Sequence, residues 1–299
     1  MKAVRFHEFG APEVLQYEDV EQPTPGDGET LVAVTASAFN PADNSIRAGN
    51  LRAIPIALPH TPGYDVAGTI DGRPVVGFLP MDKDGAAAEY VVAPISALVD
   101  APRSIDLADA AGLPSVALTA YQGLVDHAGL TAGQRILITG AGGTVGHYAV
   151  QLAARAGAHV IATASPSSRD AVAAAGAAQV IDHTSTDVVA AVGEQVDVVY
   201  NLAPSTPEEM AAYLGLVRDG GVIVTTTAWL PAPSDEARGV RGITEFVRPD
   251  AAQLTALVGL LDTGELTLAP TRRVALADLA SVHAGAAAGT LRGKVVVLP

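Results

Sequence analysis

Gly140, Gly143 and Gly146 recur at intervals of three directly after the apolar, β-branched run Arg135–Thr139, with Gly142 inside the same turn. A glycine at a strand end permits a tight turn. A second lets the backbone approach a pyrophosphate, and a third lets a helix pack closely on a sheet. The chemistry served by this spacing is dinucleotide binding. The apolar residues Val145, Ala149, Val150, Leu152 and Ala153 then fall at helical intervals up to Gly157, and a second apolar run covers 159–163. That is a strand, turn, helix, strand setting in which the helix N-terminus offers unpaired N–H groups and a partial positive charge to phosphate. The pattern is GxxGxxG rather than GxGxxG, so a purely structural turn is the competing reading.

The residues after the second strand bear on which dinucleotide. An NAD-preferring domain places Asp or Glu ~20 residues past the glycines, where it accepts hydrogen bonds from the ribose 2′-hydroxyl. Here the chain reads Ala164, Ser165, Pro166, Ser167, Ser168, Arg169, with no acid before Asp170. Hydroxyls and a guanidinium can donate to a 2′-phosphate that a carboxylate would repel, which predicts NADPH. The alternative is that the serines only cap the following helix. Two further polar groupings lie upstream. Asn40, Asp43, Asn44 and Arg47 crowd together after an apolar strand, where spacing alone favours an Asx-type turn feeding a short helix. Tyr64 and Asp65 stand between Gly63 and Gly68. The seven histidines show no HExxH or comparable ligand spacing, and there is no cysteine. Disulfides, a thiolate nucleophile and cysteine-ligated zinc are thereby excluded, and redox chemistry must be carried by a cofactor.

The elements that must position these groups follow from the rest of the chain. At 299 residues and 49% hydrophobic it can build two cored domains, and no uninterrupted apolar run reaches the ~18 residues of a membrane span. The formal charge of −14 opposes non-specific binding to nucleic acid or anionic membrane. The N-terminus lacks the apolar core of a signal peptide, so a cytoplasmic protein is expected. Short β segments at 2–6, 15–19, 30–37 and 91–94, punctuated by Gly and Pro, predict an irregular, mostly β first domain. An Ala- and Leu-rich stretch, 107–125, predicts a connecting helix. Strands at 135–139, 159–163, 179–182, 196–202 and 221–227 then alternate with helices near 145–156, 169–175 and 208–217. Such alternation marks a doubly wound parallel sheet. Ligands sit at the C-terminal ends of its strands, which nominates Ser165, His183, Asn201, Thr225, Thr226 and Thr227 as cofactor neighbours. Asp250 can cap a helix ending at Gly264, and a helix at 278–288 and a strand at 294–298 finish the chain.

Read in order, MKAVRFHEFGAPEVLQYEDV, FNPADNSIRAG, PGYDVAG, LTAYQGLVDHAGLTAGQRILITGAGGTVGHYAVQLA, FVRPDAAQL and RGKVVV resemble the zinc-free quinone oxidoreductase branch of the medium-chain dehydrogenase/reductase superfamily over nearly the whole length. The resemblance implies an α/β chain: a GroES-like, mostly β catalytic domain from 1–113 and 247–299, and a Rossmann NADPH-binding domain from 114–246. It also implies NADPH as cofactor and a homodimer. By residue, it implies that Asn40 and Asp43 stand beside the nicotinamide and its ribose and that Thr119 meets the cofactor. Gly142, Gly143, Thr144 and Val145 match the pyrophosphate turn, and Ser165 follows the second strand. His183 matches a polar residue after the third, with a solvated loop histidine as the alternative. Phe246 and Val247 resemble the stretch that contacts the carboxamide. Two pocket aromatics of related reductases are replaced here by Ser45 and Leu51, which leaves Tyr64 as the candidate proton donor or pocket wall. In zinc-dependent relatives a His stands at the place of Tyr64.

The expected activity is hydride transfer from NADPH to a quinone or an α,β-unsaturated carbonyl without metal. Asn40, Asp43 and Tyr64 are the catalytic candidates. Thr119, the glycine turn, Ser165, Ser168, Arg169, His183, Thr225, Thr226, Phe246 and Val247 are the cofactor-binding candidates. A sensor or scaffold that binds NADPH with little turnover is the alternative.

Overall fold

A computed structural model describes residues 1–51 and 54–299. The chain divides into unit 1, Met1–Ser115 with Pro249–Pro299, and unit 2, Val116–Arg248, so the junctions lie two residues beyond those expected. Among the described residues no helix is long and apolar enough to cross a membrane.

Unit 1 begins with β1 (Lys2–Phe6), β2 (Leu15–Asp19), β3 (Glu29–Phe39), α1 (Pro41–Arg47), β4 (Asp65–Ile70), β5 (Arg73–Phe78), β6 (Tyr90–Pro94), β7 (Leu98–Asp100) and α2 (Leu107–Ala110). The chain enters unit 2 within α3 (Pro114–Tyr121), and that unit goes on to contain β8 (Arg135–Thr139), α4 (Thr144–Arg155), β9 (His159–Ala164), α5 (Arg169–Ala174), β10 (Gln179–Asp182), α6 (Val188–Val192), β11 (Val196–Asn201), α7 (Pro207–Leu216), β12 (Val217–Thr225) and β13 (Arg241–Thr244). The chain then returns to unit 1 with α8 (Ala251–Asp262), β14 (Thr271–Ala275), α9 (Leu279–Ala287) and β15 (Lys294–Leu298).

In unit 1 the long strand β3 is the hub, pairing with β4, β6 and β15, all antiparallel. Of its first seven residues only Val32 is buried, and the strand ends in the buried run Ala36 to Phe39, which leads into Asn40. Gly68 is required on β4 because a Cβ there would lie 2.7 Å from a Val32 methyl and 3.1 Å from the Ala33 carbonyl carbon. Strand β15 pairs with the end of β3, Val295 opposite Phe39, which sets Lys294 beside the Asn40 turn.

Unit 2 is the expected parallel sheet, in the order β10-β9-β8-β11-β12-β13. Counted from β8, that is 3-2-1-4-5-6, the dinucleotide-binding order with its switch point between the first and fourth strands. Leu137, Ile161, Val199 and Ile223 are fully buried across it, as strands covered on both faces must be. The single helix expected over 107–125 is broken. Pro114 disfavours helical backbone at the residue before it and starts a new helix as its first residue, and the six residues Gln122–His127 form a π-helix. Strands β4, β5, β7, β13 and β14 are short or interrupted by Gly and Pro, and escaped the pattern.

Candidate functional site

In unit 2 each glycine of the turn has its own reason. Gly140 has φ +67°, and a Cβ there would lie 2.9 Å from the Leu202 carbonyl carbon and 3.0 Å from the Ala203 amide nitrogen. Gly146 faces the Ala141 Cα at 2.5 Å from its own missing Cβ, so α4 can lie this close to the turn only with glycine there. Gly143 is the N-cap of α4 and makes no side-chain cap, and Gly142 and Gly143 are both exposed. The backbone donors of a twelve-residue helix therefore open past a surface without side chains, a cradle fitting a phosphate. A Cβ on Gly142 would fall 2.8 Å from the Ser168 Cβ, so the serine segment overhangs the turn.

Ser165 Oγ lies 2.9 Å from Ser167 Oγ and 3.3 Å from Ser168 Oγ. Ser168 is the N-cap of α5 but its hydroxyl makes no capping bond, donating instead to the Ser165 carbonyl at 3.3 Å. The capping reading of these serines is thus not what the geometry shows: their hydroxyls cluster beside the glycine turn. Arg169 is exposed next to them, with one guanidinium nitrogen donating to the Val180 carbonyl at 3.3 Å. His183 is exposed after β10, as a solvated loop histidine would be.

The strand-end threonines need correction. Thr225 is fully buried, and its hydroxyl accepts from Asn201 Nδ2 at 3.2 Å and meets Thr227 Oγ1 at 2.7 Å. Asn201 Oδ1 in turn accepts from Thr139 and, at 3.1 Å, from Ser205. Thr225, Asn201 and Thr227 therefore lock β8, β11 and β12 together from inside and have no group to spare for a cofactor. Thr226, half-buried, is the residue presented at that strand end. Phe246 is 67% exposed, Val247 is half-buried, and the Thr119 carbonyl accepts from Tyr200 Oη at 2.9 Å.

In unit 1, Asn40 follows β3 as the N-cap of α1, and Pro41 opens that helix with the fixed φ suited to a first helical position. Asp43 is buried, and both its oxygens are taken: Oδ2 accepts from the Asn40 backbone N–H at 2.7 Å and Oδ1 from the Gly63 N–H at 2.9 Å. Burial pushes this carboxyl up to about 6. Asp43 is thus a structural clamp from α1 to the Gly63 loop, not a ligand of ribose. Tyr64 also needs correction. It is 1% exposed, its hydroxyl lies 2.9 Å from His60 Nε2, and burial raises its pKa far above that of a free phenol. It is a core wall, and a poor acid for donating a proton to a substrate.

What spacing did not reveal is the setting of Asn40. Its Nδ2 donates to Asp65 Oδ2 at 2.9 Å, while its Oδ1 accepts from Lys294 Nζ at 2.6 Å. Lys294 Nζ also lies 3.0 Å from Asp65 Oδ2, with side chains 2% and 0% exposed. Ser115 donates to the same carboxylate through its backbone N–H and its hydroxyl, each at 2.7 Å. A buried ion pair thereby fixes which way the Asn40 amide faces and leaves its second N–H outside this network. The signal available was RGKVVV, a lysine opening an otherwise apolar strand. Asn40→Ala should lower kcat more than it raises the Michaelis constant for the dinucleotide, with Lys294 and Asp65 still paired; a change in the Michaelis constant alone would make Asn40 a plain binding residue.

Among the described residues no group of three or more His, Cys, Asp or Glu side chains could hold a metal ion. Residues 26–103 match the alcohol dehydrogenase GroES-like domain family, and residues 175–297 match the zinc-binding dehydrogenase family. A chloroplastic quinone oxidoreductase of Triphysaria versicolor is 32% identical over 100% of this chain and 98% of its own length. A 2-methylene-furan-3-one reductase of Solanum lycopersicum is 28% identical over 100% of this chain and 79% of its own. The quinone oxidoreductase structure from Coxiella burnetii superposes with a TM-score of 0.89 at 28% identity, covering 100% of this chain and 99% of that one. With a GroES-like unit, a Rossmann-like unit and full-length relatives of this kind, the chain belongs to the quinone oxidoreductase branch of the medium-chain dehydrogenase/reductase superfamily and is an oxidoreductase.

Proposed function

We propose that this oxidoreductase is an NADPH-dependent, metal-independent reductase of quinones or α,β-unsaturated carbonyls, working as a cytoplasmic homodimer. The observation that carries the reading is the pairing of an open, side-chain-free helix N-terminus at Gly142 and Gly143 with the hydroxyl cluster of Ser165, Ser167 and Ser168 and the exposed Arg169. A nicotinamide dinucleotide supplies the hydride.

The chain's own work is placement. The α4 N-terminus and the glycine turn hold the pyrophosphate; the serines and Arg169 donate to the 2′-phosphate; Asn40, fixed by Asp65 and Lys294, orients the reacting ring. Orientation of this sort supplies a large part of a rate without a reactive side chain. With Tyr64 sealed in the core, water is the proton source for the reduced acceptor, which suits a quinone oxygen. The names of the Triphysaria and Solanum relatives support a quinone and an enone respectively, and both support turnover over a sensor or scaffold role.

Oxidation of NADPH against a panel of quinones, enones and aldehydes tests the proposal: turnover with at least one quinone or enone, unaffected by chelators, is expected, and none with any acceptor would refute it. Arg169→Ala should weaken NADPH binding roughly tenfold and leave NADH nearly unchanged, by loss of charge-assisted hydrogen bonds. Equal losses for both dinucleotides in calorimetry would remove Arg169 from the site.

A further inference from the structure

Tyr200, fully buried on β11, has a hydroxyl with two neighbours: the Thr119 carbonyl at 2.9 Å and Glu245 Oε2 at 2.8 Å. A phenol has one proton to give, and a carbonyl can only accept. Both contacts are hydrogen bonds at once only if the other proton belongs to Glu245. The order is then Glu245 O–H donating to Tyr200 Oη, and Tyr200 O–H donating to the Thr119 carbonyl.

The surroundings favour that neutral acid. Glu245 is 4% exposed, and its Oε1 has no hydrogen-bond partner among the described residues. The π-helix Gln122–His127 closes over the carboxyl so tightly that a Cβ on Gly123 would lie 2.7 Å from Oε2. The groups facing the carboxyl are Tyr200 from β11, and the Gly123 backbone N–H and Asp126 from the π-helix. Asp126 is itself 3.1 Å from Arg248 Nη2 and adds a repelling negative charge. Burial, the largest cause, pushes the Glu245 carboxyl up to about 8.

We propose that Glu245 and Tyr200 are positioning residues, a protonated relay that holds in place the nicotinamide half of the dinucleotide site in unit 2. The inference rests on the NADPH-binding reading above. Glu245 immediately precedes Phe246 and Val247, and Tyr200 grips the backbone of Thr119, so the relay joins the two stretches assigned to that half of the cofactor. When Glu245 loses its proton, one phenol proton is left between two acceptors and a carboxylate is buried with an unpartnered oxygen. One of the two stretches must then be released.

The test is the calorimetric affinity for NADPH, from well below to well above pH 8, in wild type, Glu245→Gln and Tyr200→Phe, together with infrared difference spectra of the cofactor-free proteins. The wild type should lose about tenfold in affinity as pH rises through about 8. Glu245→Gln should keep the low-pH affinity throughout, because its amide N–H donates where the acid did. Tyr200→Phe should bind weakly at every pH. At neutral pH the wild type minus Glu245→Gln spectrum should show a protonated carboxylic acid. A carboxylate band in its place, or the same pH dependence in wild type and Glu245→Gln, would overturn the relay. Wild type binding neither NADPH nor NADH at any pH would instead overturn the dinucleotide reading, while the infrared spectrum still judges the proton on Glu245.

Discussion

Lys294→Met should destabilise the protein by roughly 3–5 kcal/mol, the cost of leaving one member of a buried ion pair without its partner. The ammonium of Lys294 makes three contacts, to Asp65 Oδ2 at 3.0 Å, Asn40 Oδ1 at 2.6 Å and the Phe39 carbonyl at 3.3 Å, which uses all its protons. With Met there, Asp65, 0% exposed, keeps Ser115 and Asn40 as donors but has no counter-charge. The loss should appear as a lower denaturant midpoint, and Asn40, its amide no longer fixed from both sides, should lose turnover in whatever fraction stays folded. Asp65→Asn combined with Lys294→Met should recover much of the stability, since neutralising both members removes the uncompensated charge. It should not recover turnover, because the Asn40 amide is still without its ammonium donor. A Lys294→Met variant as stable and as active as wild type would show the pair to be incidental.

Gly143→Val should abolish measurable dinucleotide binding, a loss of at least about a hundredfold, while the variant stays folded. The geometry separates the two effects. Gly143 has φ −84° and ψ 174°, extended backbone open to any residue, and its missing Cβ has only the Gly140 carbonyl oxygen nearby, at 3.2 Å. Valine is a poorer N-cap than glycine, so a modest loss of stability, about 1 kcal/mol, accompanies the change. Its methyls would fill the space over the helix N-terminus that a phosphate needs. Gly146→Val, by contrast, meets the Ala141 backbone and should lose fold and binding together. Unchanged NADPH affinity in folded Gly143→Val would move the pyrophosphate elsewhere.

The glycine turn was legible because its constraints are local: the strand Arg135–Thr139, the turn and the helix stop at Gly157 lie within one stretch, and steric reasons for glycine act over a few residues. The same holds for Asp250, which caps α8 by accepting from the Gln253 N–H at 3.0 Å. The setting of Asn40 was not legible, since Asp65 lies 25 residues away and Lys294 254, and only the pairing of β15 with β3 brings them together. Tyr64 and Asp43 misled for a related reason. Tyr64 between glycines and Asp43 within a crowd of polar residues look like a site in one dimension, but here Tyr64 is turned into the core and Asp43 spends both oxygens on backbone N–H groups. Thr225 stands where ligands are bound, yet its side chain faces inward to Asn201, a direction that strand-end position alone does not give. Tyr200 lies in a strand-like run and Glu245 directly after β13, which the pattern does not show, and periodicity marks burial and not what a buried hydroxyl touches.

The reaction proposed for this chain is hydride transfer from NADPH to a conjugated acceptor. It is tested most directly by supplying NADPH deuterated on the transferring face of C4, with an enone as acceptor, and locating the label in the product. Deuterium is expected on the β-carbon of the saturated carbonyl, with the α-hydrogen drawn from water. An unlabelled product, or NADPH that binds and yet reduces neither an enone nor a quinone, would contradict it.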